Sequence, residues 1–180
     1  MPNLKVNYLE CDLFDHVPKN CKPNEFIFLC HVTNCRRAWG AGFVVPLGKR
    51  YPKARQKYLD FCDSHVRAGG NPLDLLGKTQ FVEHEGQPLV TVCNMCAQDL
   101  DGKRPLFYNH LAACMTDVAK FIGKRRPARI VAPFFGSALA GGNWVFIQEL
   151  IQDCWLSKDI PVTICYRKQD IPPGFLITII

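Results

Sequence analysis

The run Phe26-Ile27-Phe28-Leu29-Cys30-His31-Val32 constrains this chain more than any other segment. Only His31 interrupts its apolar character, so both faces of the strand it predicts must be covered. That requirement calls for a central strand with a layer of structure on each side. The chain then turns polar at Thr33 and Asn34 and soon reads Trp39-Gly40-Ala41-Gly42. Glycines let backbone N–H groups approach a ligand with no Cβ in the way. A glycine loop that runs into a helix also gathers free N–H groups and a positive dipole end at one point. The pattern fits a cradle for phosphate or diphosphate, although a single G-x-G also fits a plain tight turn.

A second buried run ends in the same way. Arg129–Phe135 (RIVAPFF) leads into Gly136-Ser137-Ala138-Leu139-Ala140-Gly141-Gly142, and Asn143 is placed to cap a following helix. The inward face of that helix is expected to be Ile147, Leu150, Ile151 and Cys154. Elsewhere strand and helix patterns alternate. Leu4–Glu10 alternates as a half-buried strand. Asp12-Leu13-Phe14 follow, and 15–25 reads as a polar, proline-bearing loop. Pro52 opens a helix whose stripe is Ala54, Tyr58, Phe61, Cys62 and Val66, stopped by Gly69-Gly70. Residues 75–94 read as a β-hairpin turning near His84-Glu85-Gly86-Gln87. A loop is expected from Cys96 to Pro105, and a helix over 107–122 with Leu111, Cys114, Met115, Val118 and Ile122 inward. Ile160–Tyr166 reads as a last core strand. The prediction is an α/β fold: a three-layer α/β/α sandwich with helices on both faces of a mostly mixed sheet. In open α/β sheets ligands settle at the C-terminal strand ends, between loops of this kind. Neither loop is G-x-x-x-x-G-K-[ST] or G-x-G-x-x-G with a downstream acid, which disfavours a P-loop enzyme and a dinucleotide fold.

At 180 residues the chain suits one domain, 1–180. The start MPNLKVNYLECD lacks a signal-peptide pattern, and the closing run GFLITII is too short for a membrane anchor and is strand-like or a sticky tail. These features predict a cytoplasmic or nucleocytoplasmic protein with no membrane partner. The ten cysteines include Cys30, Cys93, Cys114, Cys154 and Cys165 inside apolar patterns, and they read as buried free thiols. Cys93-x-x-Cys96 has metal or redox spacing but no matching second pair, so neither a metal site nor a cofactor is expected. With 22 basic and 16 acidic residues the net charge is +6, which suits an anionic ligand. The basic runs Arg36-Arg37, Lys49-Arg50 and 124–126 are scattered and accompany no reader motif, so nucleic acid is not an expected partner.

Taken in order, these residues resemble a known family. Asp12-Leu13 follow a first strand. His31-x-x-Asn34-Cys35-x-x-x-Trp39-Gly40-x-Gly42-Phe43 leads to Arg50-Tyr51-Pro52-Lys53-Ala54-x-x-x-Tyr58. Pro133-x-x-Gly136-Ser137-x-Leu139-Ala140-Gly141-Gly142-x-Trp144 follows a late strand, and Tyr166 closes the final one. The set resembles the macro domain, an ADP-ribose-binding α/β/α module, in particular the small ADP-ribose-1''-phosphate phosphatase branch. The resemblance covers roughly residues 4–166 and is strongest over His31–Tyr58.

The resemblance implies that Asp12 accepts from the adenine amino group while Leu13 supplies a neighbouring N–H. Gly40, Ala41, Gly42 and Phe43 would line one side of the diphosphate, with Phe43 near the ribose. Gly136, Ser137, Ala138, Leu139, Ala140 and Gly141 would line the other side, and Tyr166 would cover adenine. Asn34 would orient the distal ribose, and His31 would act as general acid or base, so these two form the expected catalytic pair. Simpler roles stay open: Asp12 as a loop cap, Tyr166 as strand-end core, His31 as hydrogen-bonded core. Glycohydrolase relatives use a lysine on the middle strand and an aspartate in the late loop. Met95 or its neighbours and Ala140 stand there, which argues against that covalent mechanism. Gln98, Asp99, Asp101 and Lys103 are further candidates for the distal end. The expected ligands are ADP-ribose or its derivatives, including ADP-ribosylated protein. The expected chemistry is hydrolysis at the distal ribose, with phosphate removal ahead of de-ADP-ribosylation and a non-catalytic reader as the rival.

Overall fold

A computed structural model describes residues 4–177. Six strands form one sheet: β1 (Asn7–Glu10), β2 (Phe26–Asn34), β3 (Thr79–His84), β4 (Leu89–Gln98), β5 (Ala128–Ala132) and β6 (Val162–Tyr166). Their spatial order is β1-β6-β5-β2-β4-β3. Every neighbouring pair is parallel except β3 with β4, which form the antiparallel hairpin at one edge. The sheet is therefore mixed, and five strands end at the same rim.

β2 lies among the inner strands, and its side chains alternate between two cores. Phe28 and Cys30 face one core, packed with Leu111, Met115 and Val118 of helix α4 (Tyr108–Ile122) and Ile147 and Ile151 of helix α5 (Trp144–Cys154). Ile27 and Leu29 face the other, with Leu13 and Val17 of helix α1 (Leu13–Asn20), Leu47 of helix α2 (Val44–Arg50), and Ala54, Tyr58 and Cys62 of helix α3 (Pro52–Arg67). Both faces of β2 leave water, which is why His31 is the one polar residue between Phe26 and Val32. The expected three-layer α/β/α sandwich is the observed one.

Several local expectations change. The segment read as a loop after Phe14 holds α1. Pro18 and a length of eight residues hid it, but the Asp12 carboxylate caps it and it buries Leu13, His16 and Val17. β4 continues through Cys96 to Gln98, because its backbone stays paired with β2 to that point. On α3, Val66 is exposed rather than part of the stripe. β1 and β5 are shorter than their apolar runs, and α2 occupies the stretch just after the first glycine loop. Residues 174–177 form no strand, and the remaining three residues of the closing run lie outside the described residues, as do the first three of the chain. Among the described residues no helix is long and apolar enough to cross a membrane.

Candidate functional site

The rim where β1, β6, β5, β2 and β4 end carries the residues singled out by sequence. At one end, β1 turns at Asp12 into α1. Asp12 Oδ1 accepts from the N–H of Phe14 at 2.8 Å and of Asp15 at 3.3 Å. Both bonds fall on one oxygen, so Oδ2 has no protein partner among the described residues. Leu13 N–H likewise meets no acceptor within them. Asp12 and the end of β6 at Tyr166 line one cleft, together with Glu10, Cys11, Arg167 and Lys168. Tyr166 is mostly buried, its ring 5.8 Å from that of Phe134.

The middle of the rim is made by the two glycine loops. They meet: a Cβ on Gly42 would lie 3.1 Å from Leu139 Cδ1. Gly42 has φ +73°, Gly136 +74° and Gly141 +67°, conformations that disfavour side chains. In the late loop, Gly141 and Gly142 spend their N–H groups on Ala138 O and Gly136 O, which ties the loop into a knuckle. The N–H groups of Ser137, Ala138, Leu139 and Ala140 have no acceptor among the described residues, and neither do those of Ala41, Gly42 and Phe43. Two runs of N–H groups without acceptors therefore lie on loops that meet, and free donors are what an anion requires.

The first loop is wound around Asn34. Its Oδ1 accepts from Arg36 N–H at 2.9 Å, Ala38 N–H at 3.1 Å and Tyr58 O–H at 2.9 Å, and its Nδ2 donates to Ala38 O at 2.8 Å. This is an Asx-type turn clamped by a tyrosine from α3. Oδ1 and one of the two Nδ2 N–H groups are held by the chain itself, so the side chain braces the loop. Phe43 stacks on Phe14 at 5.4 Å and lies 5.9 Å from the His31 ring, linking the first loop to α1.

His31 is sealed inside. It is 2% exposed, and Trp39 packs edge-on against it at 5.7 Å. Nε2 lies 2.6 Å from Asn94 Oδ1, and Asn94 Nδ2 donates to Ala54 O. Burial pushes the imidazole pKa down to about 4, against the opposing effect of the Asn94 bond. Near neutral pH the ring is uncharged, with Nε2–H donating to Asn94. In this structure the expected acid or base is a buried ring that holds Asn94 and backs Trp39 and Phe43. Asp99 is also committed. Arg36 donates to both its oxygens, at 2.7 and 2.9 Å, and this pair holds the carboxyl down to about 2. Gln98 is half-buried at the end of β4, while Asp101 and Lys103 are exposed.

Met95 and Ala140 are both buried in the core, so neither place carries an ionisable group. Cys93 and Cys96 fall on opposite faces of β4, one in each core, so their C-x-x-C spacing cannot chelate an ion. The described cysteines are free thiols, all buried except half-buried Cys11. Sequence reasoning passed over Asn94 and Phe14. The first carried a legible signal, a lone amide inside the apolar run of β4, which must find a buried partner. The second carried none.

No family model matches the chain. It is 29% identical over 116 residues to an ADP-ribose 1''-phosphate phosphatase of Debaryomyces hansenii, a match that covers 60% of this chain and 62% of that one, just under two thirds of the relative's length. It is 21% identical over 156 residues to the Candida albicans protein of the same name, covering 82% and 92%. A macrodomain protein of Streptomyces coelicolor superposes with a TM-score of 0.71 at 29% identity, covering 91% of this chain and 99% of that one. The chain is thus similar in sequence to the fungal ADP-ribose 1''-phosphate phosphatases and has the fold of the bacterial macrodomain, with its paired glycine loops at one sheet rim.

Proposed function

We propose that the chain binds ADP-ribose or a derivative along the strand rim and hydrolyses a group at its distal ribose, ADP-ribose 1''-phosphate being the substrate. The observation that carries this reading is the meeting of two loops whose N–H groups lack acceptors. A diphosphate supplies those acceptors, and charge-assisted bonds to it are about twice as strong as neutral ones. The adenine end falls to Asp12, whose free Oδ2 can accept from an exocyclic amine, with Leu13 N–H beside it and Tyr166 covering the ring. Asn34 and His31 act through the loop they shape. The fungal relatives' name supports the phosphatase assignment. The test is phosphate release from ADP-ribose 1''-phosphate, run beside ADP-ribose release from mono-ADP-ribosylated protein. Phosphate release by the first and none by the second is expected.

A second reading, a non-catalytic reader of free or protein-linked ADP-ribose, is favoured by the neutral, sealed His31 and the occupied Asp99. Tight binding with no release from either substrate selects it. A cytoplasmic or nucleocytoplasmic location is part of the proposal and is tested by imaging the tagged protein.

A further inference from the structure

Beside the cleft, on the α1 side of the sheet, three ligand-bearing side chains converge from positions far apart in sequence. The Sγ atoms of Cys11 and Cys165 and a ring nitrogen of His16 all lie within 4.8 Å of one another. The backbone explains the convergence. Cys11 follows β1 and donates its N–H to Tyr166 O at 3.0 Å, which sets it beside Cys165 of β6. The turn at Asp12 then folds α1 back, and its first full turn brings His16 over both sulfurs.

His16 is the second observation. It is 6% exposed, yet neither Nδ1 nor Nε2 has a hydrogen-bond partner. A buried ring nitrogen left unpaired is destabilising, and a ligand that satisfies it is favoured. Nothing in the proposed nucleotide site uses this ring.

We propose that Cys11, His16 and Cys165 bind a thiophilic metal ion of the zinc type. Two thiolates and one imidazole are ligands that zinc favours. Around a tetrahedral ion at about 2.3 Å from sulfur and 2.0 Å from nitrogen, the donors sit roughly 3.5–3.8 Å apart, so modest side-chain rotation closes the set. Binding exchanges two thiol protons for one dication, so the site keeps its charge and the protons pass to solvent. Cys11 is half-buried and lines the cleft, and water would complete the four ligands. The ion would staple β1, a four-residue edge strand paired only with β6, to that partner and to α1. It does not depend on the ADP-ribose reading.

The test uses the full chain, reduced and stripped with a chelator, then loaded with Zn²⁺, Co²⁺ or Cu⁺. One equivalent by native mass spectrometry, a thiolate-to-cobalt charge-transfer band and a raised Tm on adding zinc are expected. Cys11→Ser and His16→Gln should each weaken zinc by about tenfold or more and erode the cobalt band. Cys30→Ser, on the opposite face of the sheet, should leave both unchanged. Cys11 is half-buried, so its variant folds whatever happens to the others. Preference for Cu⁺ over Zn²⁺ would overturn the zinc assignment. Failure to bind any of the three ions, or binding untouched by Cys11→Ser, would overturn the site.

Discussion

Gly42→Ala separates the two things a glycine loop can be. At φ +73° an added Cβ is strained, by about 1–2 kcal/mol for an L-residue. The steric part is small, because the atom it meets is the end of the Leu139 side chain, which is 69% exposed and free to swing. For a domain of this size that loss lowers Tm by roughly 2–8 °C and leaves it folded. Binding should suffer more. Relief of the strain rotates the peptide groups on either side of residue 42 and turns at least one N–H away from the diphosphate. One charge-assisted bond is worth about 1.5–3 kcal/mol, or roughly 10- to 150-fold in Kd. Gly69→Ala is the control. Gly69 has φ +81° with nothing within 4 Å of a Cβ, and it lies just past the end of α3, in neither glycine loop. It should lower Tm by a similar amount and leave ADP-ribose affinity alone. Calorimetry with ADP-ribose and a thermal melt on both variants read the outcome. If Gly42→Ala melts lower but binds ADP-ribose like wild type, the loop is a turn and the diphosphate argument fails.

Asp12 carries two jobs that substitutions divide. Asp12→Asn should keep the α1 cap while weakening ADP-ribose by about tenfold, whereas Asp12→Ala should add about 1 kcal/mol of lost stability, both read by calorimetry and denaturant melts. His31 predicts a pH profile. Its pKa is lowered from 6.5 unfolded to about 4 folded, so the unfolded chain takes up the extra proton, and stability is full above about pH 6.5 and is lost as pH falls toward 4. The loss amounts to roughly 3 kcal/mol and should shrink in His31→Gln, measured as ΔG of unfolding against pH. Lowered pKa values at His16 and His84 act in the same direction, so a residual slope is expected in that variant. Asp99 acts in a separate window: its stabilisation holds above about pH 3.8 and is lost as pH falls toward 2, so Asp99→Asn should lower ΔG throughout the range above about pH 4 and flatten only the most acidic limb.

The architecture was legible because burial is written into local pattern. An apolar run such as Phe26–Val32 can belong only to a strand covered on both faces, and the glycines after it and after Phe135 mark where the rim opens. The hairpin, α4 and the cap at Asn143 followed from periodicity and turn chemistry alone. What lay beyond reach was the partner of each polar group. Nothing near His31 in sequence says that Asn94 will hold it, nor does Asn34 announce that Tyr58 and the Ala38 peptide will hold its amide. α1 escaped notice because eight residues with a proline carry too little pattern, and its stability comes from the Asp12 cap and the core it covers. The C-x-x-C pair invited a metal where strand alternation sends the two thiols to opposite faces. Cys11, His16 and Cys165, which no spacing connects, meet because β1 pairs with β6. Periodicity reports whether a residue is covered, since that depends on its neighbours along the chain. What covers it depends on which strands pair, and only the tertiary fold decides that.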